Sequence, residues 1–410
     1  MRLCASVIAI AVLSPLSALA QQTPPGAPPA APPGAPPAVA EAAPPPAAMP
    51  VVATPPATPP GTPAAVAAVA APAKTWKDLI TIEGLVDSYY QYNFSGTGPN
   101  KSLVSPGGNR SFDLNSNTFT LSYAKVGIGM SADNVALRMD LGYGATGNVI
   151  NGFPGPGIAI PMSSSVLGAP FLVQQAFVSF TPVTNFTIDF GKFVTTAGAE
   201  VIESNKNWLY SRSMLFFAIP LVHEGLRLNY KINDMVSVQG SVVNGWNGQG
   251  FEVDGNPDKT FGLNASITVP GGIGIIPTIY IGKETGSTST RFLGDLVATY
   301  TMGALGLNLN FDYIKDSGLM IDPFLGVALM GHYTVSDHLN VTGRFEYTQL
   351  TAASGATAQK NEEVTVGIAC PMAGHLEIRP ELRADFASPS TLPGAKSSQF
   401  TALVAGLAYF

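Results

Sequence analysis

Charged residues are scarce in this sequence. Asp, Glu, Lys and Arg make up 12% of the 410 residues, while hydrophobic residues make up 46%; an average soluble domain has about 25% charged residues. The formal net charge is −6, and the chain has no Lys/Arg run or basic patch. The composition therefore argues against nucleic acid as a partner.

The sequence has two cysteines, Cys4 and Cys370. The first 20 residues have a basic start at Arg2, an apolar core over Val7 to Leu16 and an A-x-A site ending at Ala20. This pattern predicts a cleaved secretion signal over residues 1–20. Its removal leaves Cys370 alone, so we expect no intramolecular disulfide in the mature chain, although secretion leads to an oxidising compartment.

Long helical hydrophobic runs are also missing after the signal. The longest uncharged run, Thr260 to Gly282, contains Pro270, Gly271 and Pro277 and is otherwise dominated by Ile and Thr. It predicts two strands and a turn rather than a membrane helix. A secreted, largely apolar chain of this kind fits an outer-membrane barrel, because only helices and closed barrels satisfy backbone hydrogen bonds in lipid.

Catalytic and metal-binding motifs are not found. The four histidines, His223, His332, His338 and His375, have no HExxH or similar spacing, and the chain has no G-x-S-x-G elbow. We therefore predict no catalytic residues, no metal and no cofactor. A barrel hydrolase is the least favoured function, since a barrel site needs only spatial proximity of its residues.

Proline and alanine dominate residues 21–74. Such a composition cannot build a core and predicts a disordered or polyproline II-like periplasmic segment. One interpretation is a spacer that reaches peptidoglycan, and the other is a tolerated low-complexity tail.

The remaining sequence is rich in the two-residue alternation of polar and apolar side chains that is typical of β-strands. From His375 to Phe386 every second residue is polar or ionisable, and the residues between them are apolar. This is the side-chain period of a β-strand. In a secreted chain it predicts a strand whose apolar face meets lipid and whose charged face lines a wet lumen.

Residues 75–410 predict an all-β fold, a transmembrane antiparallel β-barrel of about 16 strands, with 14 or 18 also compatible. The predicted strands include Phe171 to Phe180 and Glu363 to Pro371. Short turns alternate with longer loops, as in bacterial outer-membrane barrels, and both chain ends fall on the short-turn, periplasmic side. A soluble β-sandwich, the competing fold, does not predict this alternation of loop lengths.

The segment from Val173 to Tyr230 resembles a known family, the β-barrel porins of the second, OmpL-like type. The matching motifs are Gln175-Ala176-Phe177, Gly191-Lys192-Phe193, Gly198-Ala199-Glu200, Tyr210-Ser211-Arg212-Ser213, Pro220 and His223-Glu224-Gly225-Leu226-Arg227. The resemblance covers about Ile80 to Phe410 and implies an outer-membrane channel for small hydrophilic solutes. The last strand ends at Phe410, similar to an outer-membrane assembly signal, although Ala408 stands where that signal usually has a second aromatic residue.

Charged residues at inward positions of the strands are the predicted lumen lining, where they tune ion selectivity. They are Glu83, Asp87, Arg138, Asp140, Arg227, Lys231, Arg291, Asp295, Asp312, Arg344, Glu346, Glu377, Arg379, Glu381 and Arg383. The long loop from Thr195 to Val222 is the predicted constriction. We expect it to fold into the lumen and to present Glu200, Glu203, Lys206 and Arg212 there; the alternative is an extracellular cap.

These observations predict an outer-membrane porin for passive diffusion of ions and small hydrophilic solutes. Expected partners are outer-membrane lipid and the solutes, with a homotrimer as a further possibility by analogy with other 16-stranded porins. The alternative is a plugged structural or surface-interaction barrel that anchors the membrane to the cell wall.

Overall fold

The structure is a computed structural model that describes residues 79–96, 110–151, 170–247, 256–284, 289–316, 318, 321–352, 358–392 and 396–410. The predicted signal peptide (1–20) and the Pro/Ala-rich segment (21–74) lie outside these residues, so both stay predictions. Within the described ranges, no helix has the length and apolar character needed to cross a membrane.

The described residues form sixteen antiparallel strands that close into a barrel. The strands are β1 Ile80–Asn93, β2 Thr118–Ala132, β3 Val135–Tyr143, β4 Phe171–Val183, β5 Phe186–Val194, β6 Val222–Lys231, β7 Val236–Val243, β8 Thr260–Val269, β9 Ile273–Lys283, β10 Thr290–Met302, β11 Leu305–Asp316, β12 Ile321–Ser336, β13 Leu339–Ala352, β14 Gln359–Met372, β15 Leu376–Ser388 and β16 Ser398–Tyr409. Each strand pairs with its sequence neighbours, and β16 pairs with β1 to close the ring. The predicted all-β barrel with sixteen strands is confirmed.

Strand ends differ from the sequence prediction by up to four residues, as β4 and β14 illustrate. Strand β4 continues past Phe180 to Val183, because the turn is carried by Asn185, whose φ of 69° supplies the left-handed backbone that a tight turn requires. Strand β14 begins at Gln359, four residues before Glu363, since this stretch pairs with both β13 and β15. Short turns and longer loops alternate as predicted.

Side chains alternate across the barrel wall, as β15 shows. On β15, Arg379, Arg383 and Asp385 face inward and are buried, while Leu376 and Leu382 face outward and are exposed. Because there is no water in the hydrocarbon layer, such an apolar outer face suits lipid, whereas the polar side chains gather inside. The alternation predicted from residues 375–386 is therefore present in the fold.

Loops between the strands of the first half fold into the barrel. Helix α1 (Ala145–Asn151) follows β3, and helix α2 (Met214–Ala218) lies within residues 195–221, which we call the inner segment. Buried side chains of the inner segment contribute to two apolar clusters in the barrel. One cluster includes Phe112, Tyr123, Ile150, Leu172, Ile202, Phe216 and Leu221, and the other includes Ala197, Ile219, Trp246, Tyr280, Leu293 and Phe324.

Cys370 on β14 is fully buried. The expectation that it has no intramolecular disulfide after removal of residues 1–20 stays a prediction.

Glycines at close strand contacts give a test of the wall. A Cβ added to Gly225 on β6 would lie 2.2 Å from the carbonyl oxygen of Val242, whereas one added to Gly240 on β7 would meet nothing within 4 Å. We expect Gly225→Ala to lower the unfolding free energy by about 1–3 kcal/mol, because the backbone must shift. Gly240→Ala is the matched control and should change it little. Urea unfolding in detergent measures both, and equal stabilities would contradict the register described here.

Candidate pore constriction

The inner segment is first held together by its own hydrogen bonds. The backbone N–H of Phe216 donates to Ser213 Oγ over 2.9 Å, which caps helix α2. Glu200 accepts a hydrogen bond from the Ser213 N–H over 2.7 Å. The Arg212 guanidinium donates to the carbonyl oxygens of Val201, Ile202 and Tyr210. Arg212 thus joins the two halves of the segment, and its donors are directed at the backbone.

Strands β13 and β14 bind the segment through Arg344, which is fully buried. Its guanidinium donates to Glu200 over 3.0 Å, to the Ser211 carbonyl over 2.8 Å and to Glu363 of the wall over 2.9 Å. Beside it, Glu346 accepts a hydrogen bond from the Met214 N–H over 2.8 Å. Charge-assisted bonds of this kind are about twice as strong as neutral ones, so this contact fixes the segment against the wall.

Strand β15 provides a second row of contacts. Arg379 donates to the carbonyl oxygens of Ser204 and Asn207 over 2.7 and 2.8 Å, and Arg383 donates to the Arg212 carbonyl over 2.8 Å. Glu381 accepts a hydrogen bond from the Tyr210 N–H over 2.9 Å. The charged ladder of this strand is therefore saturated by backbone groups of the segment and by neighbouring acids. Those acids are Glu377, Glu363 and Asp385.

The same segment also reaches β1, β2 and β4. Asp87 accepts hydrogen bonds from Tyr210 and Ser204 over 2.6 and 2.5 Å. Glu203 is bound by Lys125 and by Gln174. In the ring these strands follow β13–β16, so the segment is fixed to the wall along an arc that runs from β13 to β4.

The four predicted constriction residues thus have different surroundings. Glu200, Glu203 and Arg212 are buried in the contacts described above. Lys206 has a side chain that is 53% exposed, with its Nζ 3.9 Å from Glu203. Of the four, Lys206 is the one with an exposed charge.

The predicted lumen residues are distributed in pairs along the inner wall. Arg138 bridges Glu83 and Asp140, with Glu83 half-exposed. Arg227 binds Asp189 over 2.8 Å. The remaining contacts are Arg291 with Asp316, Asn310 with Asp295 and Asp312, and Lys231 with Asp234 at a turn. Most of these charged side chains are therefore neutralised by an oppositely charged neighbour on the wall.

Sequence reasoning did not name several residues that make these contacts. Lys125, Asp189 and Glu363 lie at inward positions, so the same alternation could have indicated them. Tyr210 could not have been found that way, because its partner Asp87 is 123 residues distant in the chain. Among the described residues, no group of three or more His, Cys, Asp or Glu side chains is arranged for a metal ion.

The fold and the inward loop define the class of outer-membrane porin barrels. The family model described as "Putative beta-barrel porin-2, OmpL-like" matches residues 79–410, and the chain belongs to this family. No curated protein matches the sequence. The predicted family and the outer-membrane porin assignment are thereby confirmed.

Solved structures of porins share the fold at low identity. OmpF of Salmonella typhi, in complex with daunomycin, is 12% identical with a TM-score of 0.54, covering 81% of this chain and 97% of that one. OprB of Pseudomonas putida, in a high-pH structure, is 12% identical with a TM-score of 0.53, covering 82% and 95%. An anion-selective porin from Comamonas acidovorans is 12% identical with a TM-score of 0.52, covering 81% and 99%.

Removing the central arginine tests how the segment is held. We expect Arg344→Met to lower the unfolding free energy by roughly 3–5 kcal/mol, because it leaves Glu200 and Glu363 buried without their partner. Lys231→Met, which removes an exposed pair with Asp234, is the control and should change the stability little. Limited proteolysis of the inner segment, together with urea unfolding, measures the effect; equal behaviour of the two variants would contradict this assignment.

Proposed function

We propose that this porin is a passive diffusion channel for ions and small hydrophilic solutes, in which the inner segment forms the constriction. One observation carries the proposal: residues 195–221 lie inside the closed barrel and are bound to β13, β15 and β1 of the wall by buried, charge-assisted hydrogen bonds. A segment fixed in this way sets the width of the lumen without a moving part. Selection then depends on solute size and on the charge exposed beside the opening.

In this proposal the charged residues have two roles. Most are structural, because their hydrogen bonds are made to the segment and to one another. These residues are Glu200, Arg212, Arg344, Arg379 and Arg383. Lys206, and the half-exposed pair of Glu83 with Arg138, meet the solution and so act on passing ions. No covalent chemistry is required by either role, and we propose that the protein is not an enzyme.

The structural-barrel alternative is supported by a different observation. Apolar side chains on the inner segment pack into two clusters inside the barrel, and an apolar filling obstructs hydrated ions. In that alternative the barrel is plugged, and residues 21–74 provide contact with peptidoglycan. Conductance of the purified protein in planar bilayers separates the two functions, since the plugged barrel is silent.

Orientation and assembly follow from the same reasoning. We propose that the ends of the barrel chain lie on the periplasmic side, because β1 begins and β16 ends beside the short turns. A homotrimer is proposed by analogy. The solved structure of Vibrio cholerae OmpT described as a trimer form is 12% identical, with a TM-score of 0.51, and covers 81% of this chain and 99% of its own.

Deletion of the segment tests the constriction. An added Cβ at Gly198 would lie 2.4 Å from Ile219 Cδ1, so the two ends of the excised part are adjacent and residues 199–218 can be replaced by two glycines. We expect single-channel conductance to rise, because the obstacle in the lumen is gone. The Gly240→Ala variant is the control for folding and reconstitution. Unchanged conductance in a folded barrel would show that the inner segment does not form the constriction.

Charge reversal at the exposed lysine tests ion selection. We expect Lys206→Glu to shift the reversal potential in a KCl gradient toward cation preference, because a negative charge replaces a positive one beside the opening. Lys283 at the end of β9 has the same 53% side-chain exposure and pairs with Asp258; Lys283→Glu is therefore the matched control. Equal shifts in both variants would mean that Lys206 has no special position in the ion path.

A further inference from the structure

Trp208 is an aromatic residue of the inner segment that the proposed constriction does not use. Its indole is partly exposed and stacks on the imidazole of His332, with ring centroids 5.0 Å apart and an interplanar angle of 18°. The edge of the indole rests on Gly306 of β11, where an added Cβ would lie 3.0 Å from two ring carbons. A larger residue at position 306 would push the indole away, so the wall is shaped to receive it.

His332 is itself held in place. Its Nδ1 is 2.9 Å from Thr342 Oγ1, and its Nε2 is 3.5 Å from Thr334 Oγ1. These contacts fix the orientation of the imidazole, and the stack then fixes the plane of the indole. Trp208 is therefore a rigid aromatic surface in the lumen rather than a freely rotating side chain.

A polar group without a partner lies beside this surface. Asn308 is two residues along β11 from Gly306, on the same inward face, and such positions are about 7 Å apart. Its side chain is 9% exposed, and its Oδ1 has no hydrogen-bond partner among the described residues. A buried carbonyl oxygen of this kind is costly to leave unpaired, so it is suited to accept a hydrogen bond from a ligand.

The polar side chains on the inner wall of β7–β9 are uncharged. Its inward polar side chains carry hydroxyl or amide groups: Ser237, Gln239, Ser241, Asn264, Ser266 and Thr278. The charged ladder, by contrast, lies on β13–β15 and is taken up by the inner segment. A solute that passes along the neutral wall meets hydrogen-bonding groups without a net charge.

We propose that Trp208 and Asn308 form a lumen subsite for an uncharged, hydroxyl-bearing ring of the sugar class. The apolar face of a pyranose lies on the indole, and one of its hydroxyls donates to Asn308 Oδ1. The two contacts are complementary, since a sugar ring has an apolar face and polar edges, whereas a simple ion has neither. This inference rests on the proposed channel function and adds a solute class to it.

The experiment uses the full-length porin in planar bilayers and in liposomes. D-glucose is added to a conducting channel, and its block of the ion current is titrated for the wild type, Trp208→Ala, Trp208→Phe and Asn308→Ala. Sorbitol, which is neutral but has no ring, and gluconate, which is charged, are the comparison solutes. Heat-modifiable migration on gels establishes that each variant is folded.

We expect glucose to block the wild-type current at lower concentration than sorbitol or gluconate does. Trp208→Ala should weaken the glucose block roughly two- to tenfold, Trp208→Phe should retain most of it, and Asn308→Ala should weaken it as well. If every solute permeates Trp208→Ala faster by the same factor, the indole is only an obstacle and the subsite is refuted. Unaltered glucose block in both Trp208→Ala and Asn308→Ala also refutes it. A wild type that neither conducts nor passes any solute overturns the channel function instead.

Discussion

The burial of Arg344 is the constraint on which the interior of this barrel depends. A fully buried guanidinium has five donors to satisfy and a charge to balance. The wall supplies Glu363, and the remaining acceptors come from the inner segment, through Glu200 and the backbone around Ser211. Neither the wall nor the segment can satisfy this group alone, so the loop is part of the folded barrel rather than an addition to it.

The same logic explains why so few charges inside the barrel face solution. Arg379 and Arg383 bind backbone carbonyls of the segment as well as acids on their own strand. The alternating charges of β15, which in the sequence predict a lining exposed to water, thus bind the inner segment to the wall. Among the described residues, Lys206 and the Glu83–Arg138 pair are charges that still meet the solution, beside a neutral wall of hydroxyl and amide groups on β7–β9.

Strand periodicity predicted the wall well, because the outward and inward sides of β15 differ in every residue pair from Leu376 to Asp385. The inward fold of the long loop could also be expected from its length and charge. The roles of the individual residues of this loop could not be predicted from the sequence. Arg212 and Lys206 look alike in the sequence, yet one is buried among carbonyl oxygens and the other is exposed. The segment that holds both residues is positioned by contacts between residues more than a hundred positions apart, such as Tyr210 with Asp87 and Ser211 with Glu381, and no local pattern encodes such contacts.

The meeting of Gly198 with Ile219 has a consequence for the order of assembly. Since the two ends of the segment come together beside β5 and β6, this hairpin can form its backbone ladder before the residues between the ends have found their places. Those residues need partners on β13–β15, which lie more than a hundred residues further along the chain. The interior is therefore completed only when these strands have joined the wall, so that filling of the lumen is coupled to formation of the distant part of the ring.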